Sequence, residues 1–322
     1  MALKLSIVIP VYNSERTIGH LCSVLIGLYR QKYQLEIVLV NDGSSDSSDV
    51  VCKRLHADHP DTVTYVRLAK NFGEHNAVFA GLNHATGDYC VIMDDDFQNP
   101  PEEIDKLVSE IEKGYDVVYA HYASKEDSWF RNFGSRLHNR IATVVLKKPK
   151  DLYLCSFKII NRFLLKEIIR YTGPDPYLDA IILRSTDSIG KVRLLHQRRT
   201  ESTSGYTISK LVALWGNMIV SFSLVPLRVI GGLGAGVSVF GLVYGLYKAF
   251  DDVTANRMLT EYESLMFANM VFRGLILLAI SLLGEYVGRI YLSQNKDPQF
   301  VIRERLTAGE MKQDNIKYLK KN

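Results

Sequence analysis

Cysteine is scarce in these 322 residues, four in all, and no two of them form a CxxC pair. Cys22, Cys52, Cys90 and Cys155 stand far apart, which argues against a disulfide framework or a cysteine zinc site. The pattern predicts reduced, mostly buried thiols in the cytosol. Long basic tracts are missing too. "LKKPK" and the terminal "KYLKKN" are short, and a net charge of +4 is too mild for a nucleic-acid binder, so no nucleic-acid partner is expected. No cleavable signal peptide is expected, because the opening "MALKLSIVIPVYN" is a short apolar run broken by Pro10 and reads as a buried strand. What the chain does have is apolar mass. With 47% hydrophobic and 23% charged residues it can build a sizeable core, and its length allows one large domain plus an appendage or two modest domains.

The composition shifts after Lys210. Val229 to Tyr247 is 19 residues without a charge, about the length that crosses a bilayer as a helix. Ser264 to Gly284 is a second candidate, interrupted only by Arg273. An intramembrane arginine is costly against lipid, so Arg273 should face a partner helix, snorkel or line a polar path. Residues 251–263 between the two runs carry net charge −3, while Lys210, Arg228, Arg289, Lys296, Arg303 and Arg305 flank them. The positive-inside rule then puts both ends in the cytoplasm and the acidic loop outside. A buried hairpin in a soluble core is the alternative, though all-apolar helices are uncommon there. Gly232 with Gly236, and Gly241 with Gly245, have the GxxxG spacing of close helix packing, which makes a homo-oligomer an open option. The uncharged stretch 211–227 reads as an interfacial helix, with a third span as the alternative.

The first 210 residues alternate strand and helix patterns. "LKLSIVIPVY", "LEIVLVND", "VTYVRLA" and "DYCVIMD" read as strands, "GYDVVYA" as a further one, with helices over 15–30, 45–57 and 73–85. Near-continuous Val, Ile and Leu runs are covered on both faces, which predicts a parallel sheet with crossover helices. Ligands of such sheets gather at the carboxyl ends of the strands. Those ends here are polar: Tyr12-Asn13, Asn41-Asp42-Gly43, Lys70-Asn71-Phe72-Gly73, and the run Asp94-Asp95-Asp96. Any one of them alone is an ordinary turn with a helix cap. Four on one rim describe a cleft that offers an aromatic face, carboxylates and a cation to a polar ligand.

A strand alternates its side chains, so Asp94 and Asp96 point one way and Asp95 the other. Two carboxylates on one side of a cleft call for a cation between them. Hard oxygen donors with open positions suit Mg²⁺ or Mn²⁺, which could offset charge on a departing diphosphate. A solvated acidic turn ahead of the helix that Pro100 and Pro101 begin is the competing reading.

Taken together, "SIVIPVYN", "VNDGSSD", "KNFGEHNAVFAGLNHATGD", "MDDDFQNPPEEI" and "GYDVVYA" resemble the family 2 glycosyltransferases. "QNPPEEI", "DSWFR" and "LLGEYVGRIY" narrow the resemblance to the polyprenyl-phosphate glycosyltransferases. These include dolichol-phosphate mannose synthase, undecaprenyl-phosphate glucosyltransferases and the undecaprenyl-phosphate aminoarabinose transferase. The resemblance implies the GT-A nucleotide-diphospho-sugar transferase fold, an α/β, Rossmann-like and mainly parallel sheet, followed by a C-terminal two-helix transmembrane hairpin. It implies an inverting transfer of a sugar from a nucleotide-sugar, with a UDP-sugar favoured, to the phosphate of a membrane polyprenol, with Mg²⁺ or Mn²⁺ as cofactor. The domains expected are a cytosolic catalytic domain over 1–205, an interfacial region over 206–228, two spans at about 229–250 and 264–288, and a cytosolic tail over 291–322. The site would be that of an integral protein of the bacterial inner membrane.

The resemblance also distributes roles. Pro10, Tyr12, Asn13, Asp42, Lys70 and Asp94 fall in the nucleotide-sugar-binding set, joined by Asp95 as their rim neighbour although alternation turns it away. Asp94, Asp96 and Gln98 form the metal set. Arg131, Ser135, Arg136 and Arg140, on adjacent faces of one helix, suit an acceptor phosphate, with a solvated basic face as the alternative for the last two. Arg199 lies in a loop that closes over the diphosphate. Asp94, Asp96, Arg131 and Arg199 are the catalytic candidates. One departure stands out: Ser156 occupies the position where many relatives carry an aspartate, and Asp151 lies five residues earlier. An ionised phosphate acceptor has less need of a strong base. A processive polysaccharide synthase is disfavoured because "HQRRTES" lacks the Q-x-x-R-W motif and the spans are few. A non-catalytic nucleotide-sugar scaffold is disfavoured by the intact Asp94 and Asp96 pair.

Overall fold

The computed structural model describes residues 3–122, 148–149, 152–173, 176–194, 236, 262–294 and 298–307. The long apolar runs form β1 (Lys4–Val11), β2 (Gln34–Asn41), β3 (Val63–Leu68) and β4 (Tyr89–Ile92), which pair in parallel in the order β3-β2-β1-β4. The crossovers are α1 (Ile18–Tyr29), α2 (Ser48–Asp58) and α3 (Glu74–Leu82). Strand alternation splits the buried side chains into two cores. Leu5, Ile7, Ile9 and Val11 of β1 pack with Leu21, Leu25 and Tyr29 of α1, whereas Val8, with Val38 and Val40 of β2, packs against α3. Each fully buried side chain of this kind contributes roughly 1.5–3 kcal/mol.

Beyond β4 a 3₁₀ turn, Pro101–Glu103, leads into α4 (Ile104–Ile111), as the two prolines predict. β5 (Val117–Tyr122) follows the "GYDVVYA" expectation. β6 (Lys158–Asn161), α5 (Arg162–Ile169), α6 (Leu178–Ser185) and β7 (Ile189–Leu194) complete the far side. β6 runs antiparallel to both β4 and β5, and β5 runs parallel to β7. The chain therefore proceeds outward from β1 to β3, then returns to add β4 on the other side of β1. That reversal opens a crevice at the carboxyl ends of β1 and β4.

Contacts divide the chain into two units, Met1–Gly205 with Asp297–Asn322, and Tyr206–Lys296. The first therefore draws on the expected C-terminal tail. Ile302–Leu306 is not tail but a strand, β8, antiparallel to β3 at the edge of the sheet, and Lys53 pairs with Glu304 at 2.8 Å. Covering the β3 edge is the physical reason, since an open edge invites mispairing. In the second unit the described structure is Gly236 and α7 (Tyr262–Gln294), 33 residues or about 50 Å long. Counted over the described residues, no helix is long and apolar enough to cross a membrane. The expected interfacial region 206–228 and the first expected span, Gly236 apart, lie outside the described residues. All four cysteines are free, three of them buried and Cys155 partly so.

Gly81 is where α3 crosses β1 and β2. A Cβ there would overlap Val8 Cγ1 and sit 3.0 Å from Val40 Cγ2. Alanine gains about 1 kcal/mol of helix propensity over glycine, but crowding a stiff β-branched neighbour costs about 1–3 kcal/mol. We expect Gly81→Ala to lower Tm, and the same change in a Val8→Ala background to raise it, in thermal unfolding followed by circular dichroism.

Candidate active site

The rim is laced together before any ligand arrives. At the end of β1, Tyr12 is 52% exposed and Asn13 adopts φ 55°. The Asn13 amide donates to Ser44 Oγ at 3.1 Å, and its Oδ1 accepts from the Ser45 amide at 2.9 Å. At the end of β2 the Asp42 side chain is buried, and it accepts from the Phe72 amide at 2.7 Å and the Gly73 amide at 2.9 Å. Burial pushes the Asp42 carboxyl up and those two amides pull it down. Gly43, at φ 66°, lets this turn approach the next loop; a Cβ there would stand 2.6 Å from the Asn71 amide nitrogen.

The three aspartates after β4 have separate partners. Asp94 Oδ2 accepts from Ser156 Oγ at 2.5 Å and from Asn99 Nδ2 at 3.4 Å. Asp95 Oδ2 accepts from Ser14 Oγ, on the loop after β1. Asp96 Oδ1 accepts from the Gln98 amide at 3.0 Å. Phe97 follows at φ 58°, with its ring 5.3 Å from His20. Among the described residues, Asn13 and Phe97 are the non-glycine positions with positive φ, and both belong to this rim. Strain of that kind persists where surrounding contacts fix the backbone.

Between these loops lies a cleft of about 360 Å³. Pro10, Val11 and Tyr12 line it from β1, Asp42 from β2, Asn71, Gly73 and Glu74 from the start of α3, and Asp94, Asp95, Asp96 and Gln98 from the β4 loop. Seven residues singled out in the sequence thus meet: Pro10, Tyr12, Asp42, Asp94, Asp95, Asp96 and Gln98. Asn13 laces the rim without lining the cleft. Lys70 is exposed and holds its ammonium 5.1 Å over the Phe72 ring, outside the lining. Arg131, Ser135, Arg136, Arg140 and Arg199 lie outside the described residues. Asn71 and Gly73, named on the rim without a role, line the cleft as well; Glu74 was missed, although it directly follows that polar strand end.

Crowded acids raise one another. Burial, then the Glu74 charge, lifts Asp94 to about 6, with Ser156 opposing and Asp96 adding. Burial lifts Asp95 to about 7 against the Ser14 hydrogen bond, with Asp94 and Asp96 adding. Glu74 keeps solvent contact through the cleft, yet desolvation by the walls raises it, Lys158 opposing and Asp179 and Asp96 adding. Deeper in, Lys158 and Asp179 form a buried ion pair that also takes the Tyr119 hydroxyl, 3.0 Å from Asp179 Oδ1. The carboxylate oxygens of Asp94 and Asp96 suit a hard divalent cation. Among the described residues no group of three His, Cys, Asp or Glu could hold one alone, so such an ion would complete its shell from a ligand.

Residues 6–169 match the family described as Glycosyl transferase family 2. The chain belongs to that family. Two relatives cover nearly the whole of this glycosyltransferase. The undecaprenyl-phosphate 4-deoxy-4-formamido-L-arabinose transferase of Enterobacter sp. (strain 638) is 31% identical over 316 residues, 96% of this chain and 95% of that protein. Its namesake in Proteus mirabilis (strain HI4320) is 30% identical over 307 residues, 94% of this chain and 93% of that protein. Among solved structures, glucosyl-3-phosphoglycerate synthase from Mycobacterium tuberculosis in complex with uridine-diphosphate is 20% identical. It gives a TM-score of 0.53 over 68% of this chain and 79% of that one. The same enzyme with Mn²⁺, uridine-diphosphate-glucose and phosphoglyceric acid gives 0.53 at 20% identity, over 68% and 78%. These two share the fold, so the family 2 glycosyltransferase has a GT-A-like α/β architecture with a mostly parallel sheet.

Asp95 makes stability depend on pH in a fixed direction. Between its ordinary value of 3.8 and about 7, the folded chain keeps a proton that the unfolded chain has lost. That contribution to stability therefore falls as pH rises through this window. We expect Asp95→Asn to gain Tm relative to the wild type between pH 4 and pH 8, by about 2–4 °C for each kcal/mol recovered. Thermal unfolding across that range in metal-free buffer measures it.

Proposed function

We propose that this glycosyltransferase moves a sugar from a UDP-sugar to the phosphate of a membrane polyprenol, undecaprenyl phosphate, and inverts the anomeric centre. The observation that carries the reading is the single cleft that joins the Tyr12 ring, the clamped Asp42 carboxylate and the Asp94 and Asp96 pair. UDP as the nucleotude is supported by the solved neighbours, and undecaprenyl phosphate by the names of the full-length relatives.

In this reading Tyr12 offers its exposed ring to the base, with Pro10 beside it. Asp42 accepts from the ribose with the lone pairs that Phe72 and Gly73 leave open. Asp94, Asp96 and Gln98 face the diphosphate, and Ser156 and the Gln98 amide hold the two carboxylates in place. Mg²⁺ or Mn²⁺ bound there supplies positive charge against the departing diphosphate. One acceptor phosphate oxygen forms its bond to the anomeric carbon while the bond to the diphosphate breaks, the electron pair leaving with UDP. A single displacement of this kind inverts the centre. The acceptor is ionised near neutral pH, which fits a serine rather than a base at position 156. Arg131, Ser135, Arg136 and Arg140 are assigned to the acceptor phosphate, Arg199 to the diphosphate, and Lys70 to the nucleotide's vicinity.

We assign 206–228 to the membrane interface and 229–250 and 264–288 to two spans of the bacterial inner membrane, with the catalytic domain on the cytoplasmic face. The uncharged run from Val229 to Tyr247 supports this. So does a row of exposed apolar residues on α7, namely Ile276, Ile280, Leu283, Val287 and Ile290, spaced alternately four and three apart along one face.

Membranes carrying the protein, given labelled UDP-sugars, undecaprenyl phosphate and Mn²⁺, should yield a labelled product extractable into organic solvent. No such product from any UDP- or GDP-sugar would end the reading. Asp96→Asn should cut transfer by about 10²–10³-fold. Asp95→Ala, whose carboxylate is tied to Ser14, should stay within a few-fold, and equal loss in both would overturn the division of the triplet.

A further inference from the structure

Four of the five acids lining the cleft are hydrogen-bonded. Asp42 is held by two amides, Asp94 by Ser156, Asp95 by Ser14 and Asp96 by the Gln98 amide. Among the described residues, Glu74 makes neither a hydrogen bond nor an ion pair, although it opens onto the same cleft. It is nonetheless fixed. Asp42 grips the amides of the two residues before it, so the backbone that carries Glu74 is tied to the end of β2.

As the first residue of α3, Glu74 gains a little from the helix dipole, but that gain does not require it to open onto the cleft. Its carboxyl is exposed at the cleft, where the Lys158 charge favours its ionised form and those of Asp179, Asp96 and Asp94 oppose it. A solvated carboxylate that lines the cleft, with neither oxygen engaged by the protein, is open to a ligand that enters there. That ligand is not a metal held by a cluster of three protein groups, since the described residues contain none. It is not a diphosphate either, which a carboxylate repels. Sugar hydroxyls are hydrogen-bond donors, and a carboxylate presents two oxygens to accept from adjacent ones.

We infer that Glu74 contacts the transferred sugar, accepting hydrogen bonds from hydroxyls of its ring, and so helps set which sugar the enzyme takes. The inference rests on the UDP-sugar reading above. Its residue acts on binding, so the test is binding to the full-length protein in detergent, with Mn²⁺, followed by isothermal titration calorimetry. The probes are UDP, UDP-glucose, UDP-N-acetylglucosamine and UDP-4-deoxy-4-formamido-L-arabinose.

At least one UDP-sugar should bind the wild type more tightly than UDP does. Glu74→Ala should weaken that sugar nucleotide by about tenfold or more while leaving UDP unchanged. Glu74→Gln, which keeps one accepting oxygen, should fall between. Unchanged UDP affinity also shows that the variants are folded. Equal losses for UDP and the UDP-sugar, no loss in Glu74→Ala, or a wild type that favours none of the sugars over UDP would each overturn the inference. A wild type that fails to bind UDP at all would instead remove the donor reading on which it stands.

Discussion

The grip of Asp42 on the Phe72 and Gly73 amides is the contact on which the cleft depends. It joins the end of a central strand to the start of α3 and leaves the carboxylate buried with both oxygens engaged. A hydrogen bond to a charged group contributes about 1.5–3 kcal/mol, and an orphaned buried carboxylate costs at least as much. The same grip fixes three walls at once: the turn after β2, the loop through Asn71, and the first residue of the helix. Gly43 is the complementary requirement, because only a residue without a side chain allows the two loops to lie so close.

Around that anchor the cleft gathers negative charge that water would otherwise disperse. The fold tolerates it by giving most carboxylates a separate neutral donor: serine hydroxyls for Asp94 and Asp95, a backbone amide for Asp96. Neutral donors hold an anion in place without cancelling its charge. The residual field therefore remains available to a cation, and the serine at position 156 stands as a donor that holds Asp94 in place. The buried Lys158 and Asp179 pair behind the wall follows a different rule, since two opposite charges out of water are kept only as a bonded pair.

The sequence was most legible where one physical constraint dominated. β1, β2 and β3 were readable because strands covered on both faces must be apolar throughout, and the rim was readable because polar residues could only follow them. The alternation expected of the aspartates has no strand to rest on, since β4 ends at Ile92 and all three carboxylates, Asp95 included, line the cleft; what separates them is their partners, Ser156 for Asp94 and Ser14 for Asp95. Partners distant in sequence were not legible. Ser156 and Asp94 are 62 positions apart, so nothing local announced their bond. Glu74 was hidden for another reason: an acid opening a helix is what capping preferences already predict. β6 and β8, of four and five residues, are too short and too mixed in polarity to show a period.

β8 has a consequence for the order in which the molecule can be completed. The catalytic sheet is not finished when the chain reaches Gly205, because its last strand lies on the far side of the 91 residues from Tyr206 to Lys296. During synthesis β3 stays unpaired on one edge until that whole stretch has been made, the interval in which open edges are prone to mispair. A chain cut at the apparent end of the catalytic domain would keep that edge open permanently. The domain that looks separable in the linear sequence is a closed object only in the full-length one.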